Sequence, residues 1–173
     1  MHQDCLKQYM NVNKDFYFYG AVPIDFKKCS VSKLCSFNLK DHIKKDHKRI
    51  GIVFNTDPSN KDGQHWISMY IDIHGNNLRN NPGIYYFDSF GHNPPNEIKE
   101  LIDKIKMQGL KCNKDFSYLY NDQRYQKYNS QCGMFAIHFI KQMLDGISFE
   151  SYLRLPLSDK IMKDLRTDYF IKL

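Results

Sequence analysis

The sequence has no uninterrupted apolar run long enough to cross a bilayer, and its first residues, MHQDCLKQYM, contain no apolar h-region. Neither membrane insertion nor secretion is indicated, and an intracellular setting is expected. The five cysteines (Cys5, Cys29, Cys35, Cys112, Cys132) form an odd set without CxxC spacing. That argues against a disulfide framework and against the usual structural zinc patterns, so reduced thiols and no metal are expected. A site built from Cys29, Cys35 and His42 or His47 stays open, although its spacing matches no standard ligand pattern. No repeat recurs and no Ser/Gly-rich or Pro-rich linker divides the chain. Its 173 residues suffice for one well-cored domain and not for two comfortable ones, so residues 1–173 read as a single domain.

Hydrophobic residues at 42% and aromatics at 14% are more than a disordered chain carries, while 25% charged residues and a mean hydropathy of -0.61 give a polar surface. The formal charge of +6 favours encounters with polyanions. The basic run around Lys40, Lys44, Lys45, Lys48 and Arg49 is diluted by Asp41 and Asp46, and a solvated face explains it more simply than a nucleic-acid groove.

Patterning alternates between short strands and helices. FYFYGAVPIDF and RIGIVFN read as extended, the latter as a buried strand, and KDHIKKDHKRI as a short polar helix or loop. In HWISMYIDI the residues His65, Ile67, Met69, Ile71 and Ile73 share one parity and Trp66, Ser68, Tyr70 and Asp72 the other, which is a strand signal. HGNNLRNNPG supplies turn chemistry before IYYFDSF, so an antiparallel pair with Asp88 near the end of its second strand is predicted. Ile98, Leu101, Ile102 and Ile105 recur at helical spacing, with Pro94 and Pro95 ahead and Gly109 behind. FSYLY reads as a further strand, CGMFAIHFIKQMLDG as a buried helix ending at Gly146, and LSDKIMKDLRTDYF as a last helix capped by Ser158.

Cys132 stands at the start of that buried helix. Unpaired amides there stabilise a thiolate and lower a thiol pKa from ~8.5 towards ~3.5–7.5. Gly133 keeps side chains away from the sulfur, and the Cys132 amide is positioned to face an oxyanion. By position alone, however, a cysteine is more often a small packed core residue. A nucleophilic thiol needs a histidine, and the histidine needs a group that fixes its tautomer. His65 heads a patterned strand and Asp88 ends its neighbour, so two adjacent strand ends supply both. His138 lies six residues along the same helix as Cys132, a rotation of roughly 240° and about 9 Å of rise, and points elsewhere. His42 and His47 sit among lysines and read as solvated face, and His92 lies in a Gly/Asn/Pro loop. Gln126, in the loop ahead of Cys132, offers a side-chain amide to a developing oxyanion.

GQHW, then YFDS, then QKYNSQCG, in that order, resemble the ubiquitin-like-protein protease clan, which includes the SUMO proteases and adenain, the adenovirus maturation protease. GAVPIDF, FNTDPSNKDGQHW, FDSFG, YNSQCGMFAIHFI and LSDKIMKDLRTDYF are most similar to compact proteases of virophages and large DNA viruses. The resemblance spans about Phe16 to the end. Adenain has a glutamate in place of Asp88 and a longer interval between glutamine and cysteine, so in both details the chain sides with the SUMO proteases.

The resemblance implies an α+β, papain-like fold with a mainly antiparallel central sheet packed by helices. It implies His65 as general base, Asp88 as orienting carboxylate, Gln126 as oxyanion donor and Cys132 as nucleophile. Trp66 matches the tryptophan that narrows the clan's cleavage channel to small residues, typically glycine; Gly133 and Asn55 complete the candidate substrate-binding set, although Asn55 also suits a turn-bracing role. The implied function is a thiol endopeptidase maturing viral capsid or core precursors, or alternatively a deconjugating protease for SUMO- or ubiquitin-like proteins. No cofactor is expected, DNA is a possible stimulating partner, and no membrane is involved. The expected location is inside the host cell, in the virus factory, cytoplasm or nucleus, and packaged in the virion.

Overall fold

The computed structural model describes residues 7, 11, 13–77, 80–128 and 130–170. Five strands make one sheet in the order β1 (Phe16–Pro23), β2 (Arg49–Asn55), β3 (Trp66–Asp72), β4 (Gly83–Phe87), β5 (Ser117–Tyr120). The central three pair antiparallel, as the alternation in HWISMYIDI and IYYFDSF predicts. Both edge strands join in parallel, β1 to β2 and β5 to β4, so the antiparallel character belongs to the centre of the sheet. The helices are α1 (Leu39–Lys44), α2 (Asn96–Leu110), α3 (Cys132–Leu144), α4 (Phe149–Leu153) and α5 (Asp159–Phe170). The short α4 has no sequence prediction behind it, and α2 carries Gly109 within its last turn rather than beyond its end. Among the described residues no helix is long and apolar enough to cross a membrane.

Each face of the sheet is covered, and the strand period of two decides which side chain goes where. Ile67, Met69 and Ile71 of β3 meet Ile98, Leu101, Ile102 and Ile105 of α2 on one face. Tyr70, Tyr85 and Phe87 meet Phe135, Phe139, Ile140 and Met143 of α3 on the other, with Phe149, Tyr152 and Met162 behind them. Because α3 is enclosed between sheet and C-terminal helices, its apolar character runs nearly all round.

The seat of α3 is cut by a glycine. A Cβ on Gly51 of β2 would lie 2.9 Å from the Phe16 ring and 3.1 Å from Ile140 Cγ2, so helix and sheet meet at this distance because Gly51 has no side chain. The far end of α3 is pinned by polar contacts. Arg49, ion-paired with Asp15 at 2.6 Å, donates to the Leu144 carbonyl, and Asn77 Nδ2 donates to the carbonyls of Met143 and Ile147. Asn77 is itself held by Asp72, whose carboxylate accepts the amides of His74, Gly75 and Asn77 at the end of β3.

Two expectations are overturned outside the core. Cys29 and Cys35 form a disulfide, because a 3₁₀ turn over Lys33–Ser36, capped by Ser32, folds the loop back until their Cα atoms are 5.2 Å apart. That removes both thiols from any metal site with His42 or His47. Cys112 and Cys132 are free, and Cys5 lies outside the described residues. His42, expected on a solvated face, is buried: Nε2 meets the Tyr19 hydroxyl at 2.8 Å and Nδ1 meets His47 Nδ1 at 2.9 Å. Burial, with His47 beside it, pushes the His42 pKa down to about 4.

Gly51→Ala is expected to lower stability by about 1–3 kcal/mol through overpacking of Phe16 and Ile140. The check is the urea midpoint at unchanged denaturant slope; an unshifted midpoint would mean that the α3 contact tolerates a methyl group there.

Candidate active site

The antiparallel register that pairs Ser68 with Phe87 puts the start of β3 beside the end of β4. His65 immediately precedes β3, and Asp88 immediately follows β4. The third element is α3, whose first residue is Cys132. His65 Nε2 donates to Asp88 Oδ1 at 2.8 Å, and the Asp88 side chain is only 3% exposed. The other imidazole nitrogen, Nδ1, is buried and is the nitrogen left to interact with the neighbouring Cys132 thiol. His65 packs against Phe90 with ring centroids 4.9 Å apart and planes tilted by 37°.

Charge is favoured on both members of this pair. Burial alone would depress the His65 pKa, but hydrogen bonding to Asp88 and to Cys132, with the negative charge on each, raises it to about 9. Burial alone would raise the Cys132 thiol; His65 and the backbone amides of Trp66 and Gly133 outweigh that and bring it below its ordinary value. The first turn of α3 supplies such amides because its leading N–H groups have no intrahelical acceptor; the first helical bond runs from Phe135 N to the Gln131 carbonyl. Both shifts run towards a thiolate–imidazolium pair.

Asp88 is held from three sides. Its own amide donates to Asn121 Oδ1 at 2.9 Å, and Asn121 Nδ2 donates back to the Asp88 carbonyl at 2.6 Å. The Phe90 amide donates to Asp88 Oδ1 at 2.8 Å, forming a side-chain turn, and the Gly91 amide closes it on the Asp88 carbonyl. Gly91 has φ 74°, and a Cβ there would lie 2.8 Å from the Gln123 backbone, so both conformation and space require glycine. This tight return brings His92 Nδ1 to 3.4 Å from Asp88 Oδ2.

The sequence pattern of the Ulp1 protease family, C-terminal catalytic domain, matches residues 9–173. The chain belongs to this family. A protein of Acanthamoeba polyphaga mimivirus named as a thiol protease is 34% identical over 94% of the chain and 52% of its own length. African swine fever virus proteins named SUMO-1 cysteine protease are 29% identical over 74% of the chain and 46% of their length. The chain thus spans about half the length of these curated relatives. In fold, it is similar to the crystal structure of the African swine fever virus protease (TM-score 0.84, 22% identity, 97% of this chain and 64% of that one). It is also similar to the SUMO protease Ulp1 with its catalytic cysteine oxidised to a sulfonic acid (TM-score 0.62, 14% identity, 98% and 72%).

Within this Ulp1-family domain the predicted site residues fall as follows. His65, Asp88 and Cys132 converge. Trp66 is half-buried and reaches Cys132 through its amide. Gly133 faces open space, with nothing within 4 Å of a hypothetical Cβ. Gln126 has no exposed surface; its Oε1 accepts from Ser89 Oγ at 2.6 Å, and its Nε2 donates to the Tyr128 carbonyl. Asn55 is buried and braces the next loop, its Oδ1 accepting the Asp57 amide at 3.0 Å. His138 is a core residue hydrogen-bonded to Tyr152 at 3.1 Å, and burial lowers its pKa to about 4. Sequence reasoning missed Asn121 and Ser89 and set aside His92 as a loop residue. The last had a visible signal, since DSFGH places a glycine where a tight return needs one.

Iodoacetamide at pH 6 is expected to alkylate Cys132, although it is only 6% exposed, in preference to the more accessible Cys112. In His65→Ala the preference should be lost; peptide mass spectrometry reads the ratio, and equal labelling of the two thiols in the unmutated chain would contradict the ion pair.

Proposed function

We propose that the chain is a thiol endopeptidase with Cys132 as nucleophile, His65 as general base and acid, and Asp88 as the carboxylate that orients His65. The convergence of these three side chains on two strand ends and one helix start carries the reading. The thiolate attacks the scissile carbonyl carbon, and the carbonyl electrons move to oxygen. The His65 imidazolium gives its proton to the leaving amine as the C–N bond breaks. The neutral imidazole then takes a proton from water, whose oxygen attacks the thioester, and keeps it as the acid leaves, which restores the thiolate and the imidazolium.

The oxyanion is assigned to the Cys132 amide and Gln126 Nε2. Ser89 orients the Gln126 amide, and the Tyr128 carbonyl engages one of its N–H groups, so a substrate oxyanion competes with that carbonyl. The open approach at Gly133 beside half-buried Trp66 supports cleavage after small residues such as glycine. We assign viral capsid or core precursors as substrates, a reading motivated by the viral source of the 34%-identical thiol protease. A second reading, removal of a SUMO- or ubiquitin-like modifier, is favoured by the name of the African swine fever virus relatives.

Virion precursor polypeptides bearing Gly-Gly-X sites and SUMO conjugates, offered in parallel, separate the two. The precursor sites are expected to be cut with at least ~10-fold higher kcat/KM, a margin of about 1.4 kcal/mol; equal or faster cleavage of the conjugates would transfer the assignment. Cys132→Ala should lower kcat on either substrate by ~10⁴-fold or more.

The pH profile has a defined alkaline limb. His65 is charged below its raised pKa of about 9, so kcat/KM should fall as pH rises through that value. Asp88→Asn removes the charge that raises it and should move this limb to lower pH. A limb unmoved in Asp88→Asn would show that another group sets it.

A further inference from the structure

The tight return after β4 brings a second imidazole to the carboxylate that orients His65. Among the described residues, His65, Asp88 and His92 each offer one ligand atom, and these atoms lie within 4.8 Å of one another. We propose that the three form a reversible binding site for a zinc-class divalent cation, and that occupancy stops proton transfer by His65. The inhibitory half rests on the function proposed above; the binding half rests on this geometry alone.

The donor set suits the ion. Two imidazoles and one carboxylate leave a fourth position for water, as in open zinc sites. Bonds of ~2.0–2.1 Å place neighbouring ligands about 3.3–3.5 Å apart in a tetrahedron. His92 Nδ1 is 3.4 Å from Asp88 Oδ2, so that spacing is already in place, and all three ligand atoms lie within 4.8 Å of one another. The remaining adjustment falls on His92, whose side chain is 71% exposed and can turn at little cost. Oδ1 is engaged by His65 and the Phe90 amide, so Oδ2, facing His92, is the oxygen that can bind the ion. A pocket of about 360 Å³ lined by His65, Asp88, His92, Gln64 and Asn93 opens on the same side and has room for the ion and its water.

The chemical consequence follows from the two ring nitrogens. An ion on Nε2 takes the place of the proton that His65 donates to Asp88, and the ring holds its one remaining proton on Nδ1. Passing that proton to a leaving amine would leave a metal-bound imidazolate, so the shuttle is blocked.

Zinc chloride titrated calorimetrically into Cys132→Ala, where the thiolate cannot bind the ion, isolates the site. Binding should persist in Cys132→Ala and weaken at least ~10-fold in Cys132→Ala/His92→Ala. Cobalt(II) in Cys132→Ala should give ligand-field absorption without a thiolate charge-transfer band. No binding to Cys132→Ala, or equal binding to both variants, would overturn the site; ions held by Cys112 or the His42–His47 pair are untouched by His92→Ala and are told apart in this way. In the chain with Cys132 intact, the zinc concentration halving peptidase activity should rise at least ~10-fold in His92→Ala, each protein measured against its own zinc-free rate. An unshifted value would assign inhibition to Cys132 itself and overturn the proposal. A chain without peptidase activity would sink the proposed function and still leave the calorimetry to decide the site.

Discussion

The pairing of Ser68 with Phe87 across β3 and β4 constrains several groups at once. Continued past the strand ends, the same antiparallel count sets His65 opposite Phe90, and the two rings are in contact. Asp88 then falls beside the imidazole. A slip of one residue would reverse the face of every side chain on a strand and send the Ile67, Met69, Ile71 row to the wrong side of the sheet. The burial of that row against α2 thus holds His65 and Asp88 in register.

The ionisation of Cys132 and His65 is set by a contest between desolvation and pairing. Burial opposes charge on both Cys132 and His65, and for each it is the largest single influence. The combined hydrogen bonds and opposite charges still win, because Asp88, the Trp66 and Gly133 amides and the two partners themselves act together over short distances in a poorly solvated cleft. Holding Asp88 is therefore worth a dedicated clamp. Asn121 takes both its amide and its carbonyl, and the Gly91 turn supplies another amide to its side chain. The same turn delivers His92 to Asp88, so His92 and His65 share one carboxylate.

Much of this was legible in the residues. The alternating parity of HWISMYIDI, the helical spacing of Ile98, Leu101, Ile102 and Ile105, and Gly146 after the buried helix each reflect a local period or a local backbone requirement. The convergence of His65, Asp88 and Cys132 was also legible, because strand ends and a helix start are places that the pattern itself marks. The disulfide was not: a separation of six carries no information until Ser32 and the 3₁₀ turn bend the chain. Nor was the burial of His42, which is imposed by Tyr19 from a strand distant in sequence. The parallel pairing of both edge strands depends on chain crossovers rather than on any residue pattern.

The sequence by itself determined most of the elements, their buried faces and the identity of the candidate site residues, since period, capping and side-chain chemistry are local properties. Tertiary structure decided which groups became charged and which neighbours they acquired. Desolvation, the approach of α3 over Gly51 and the return of His92 to Asp88 exist only once distant segments occupy the same few ångströms. The physical reason is that pKa values and coordination depend on distance and burial, and neither is defined until the chain has closed on itself.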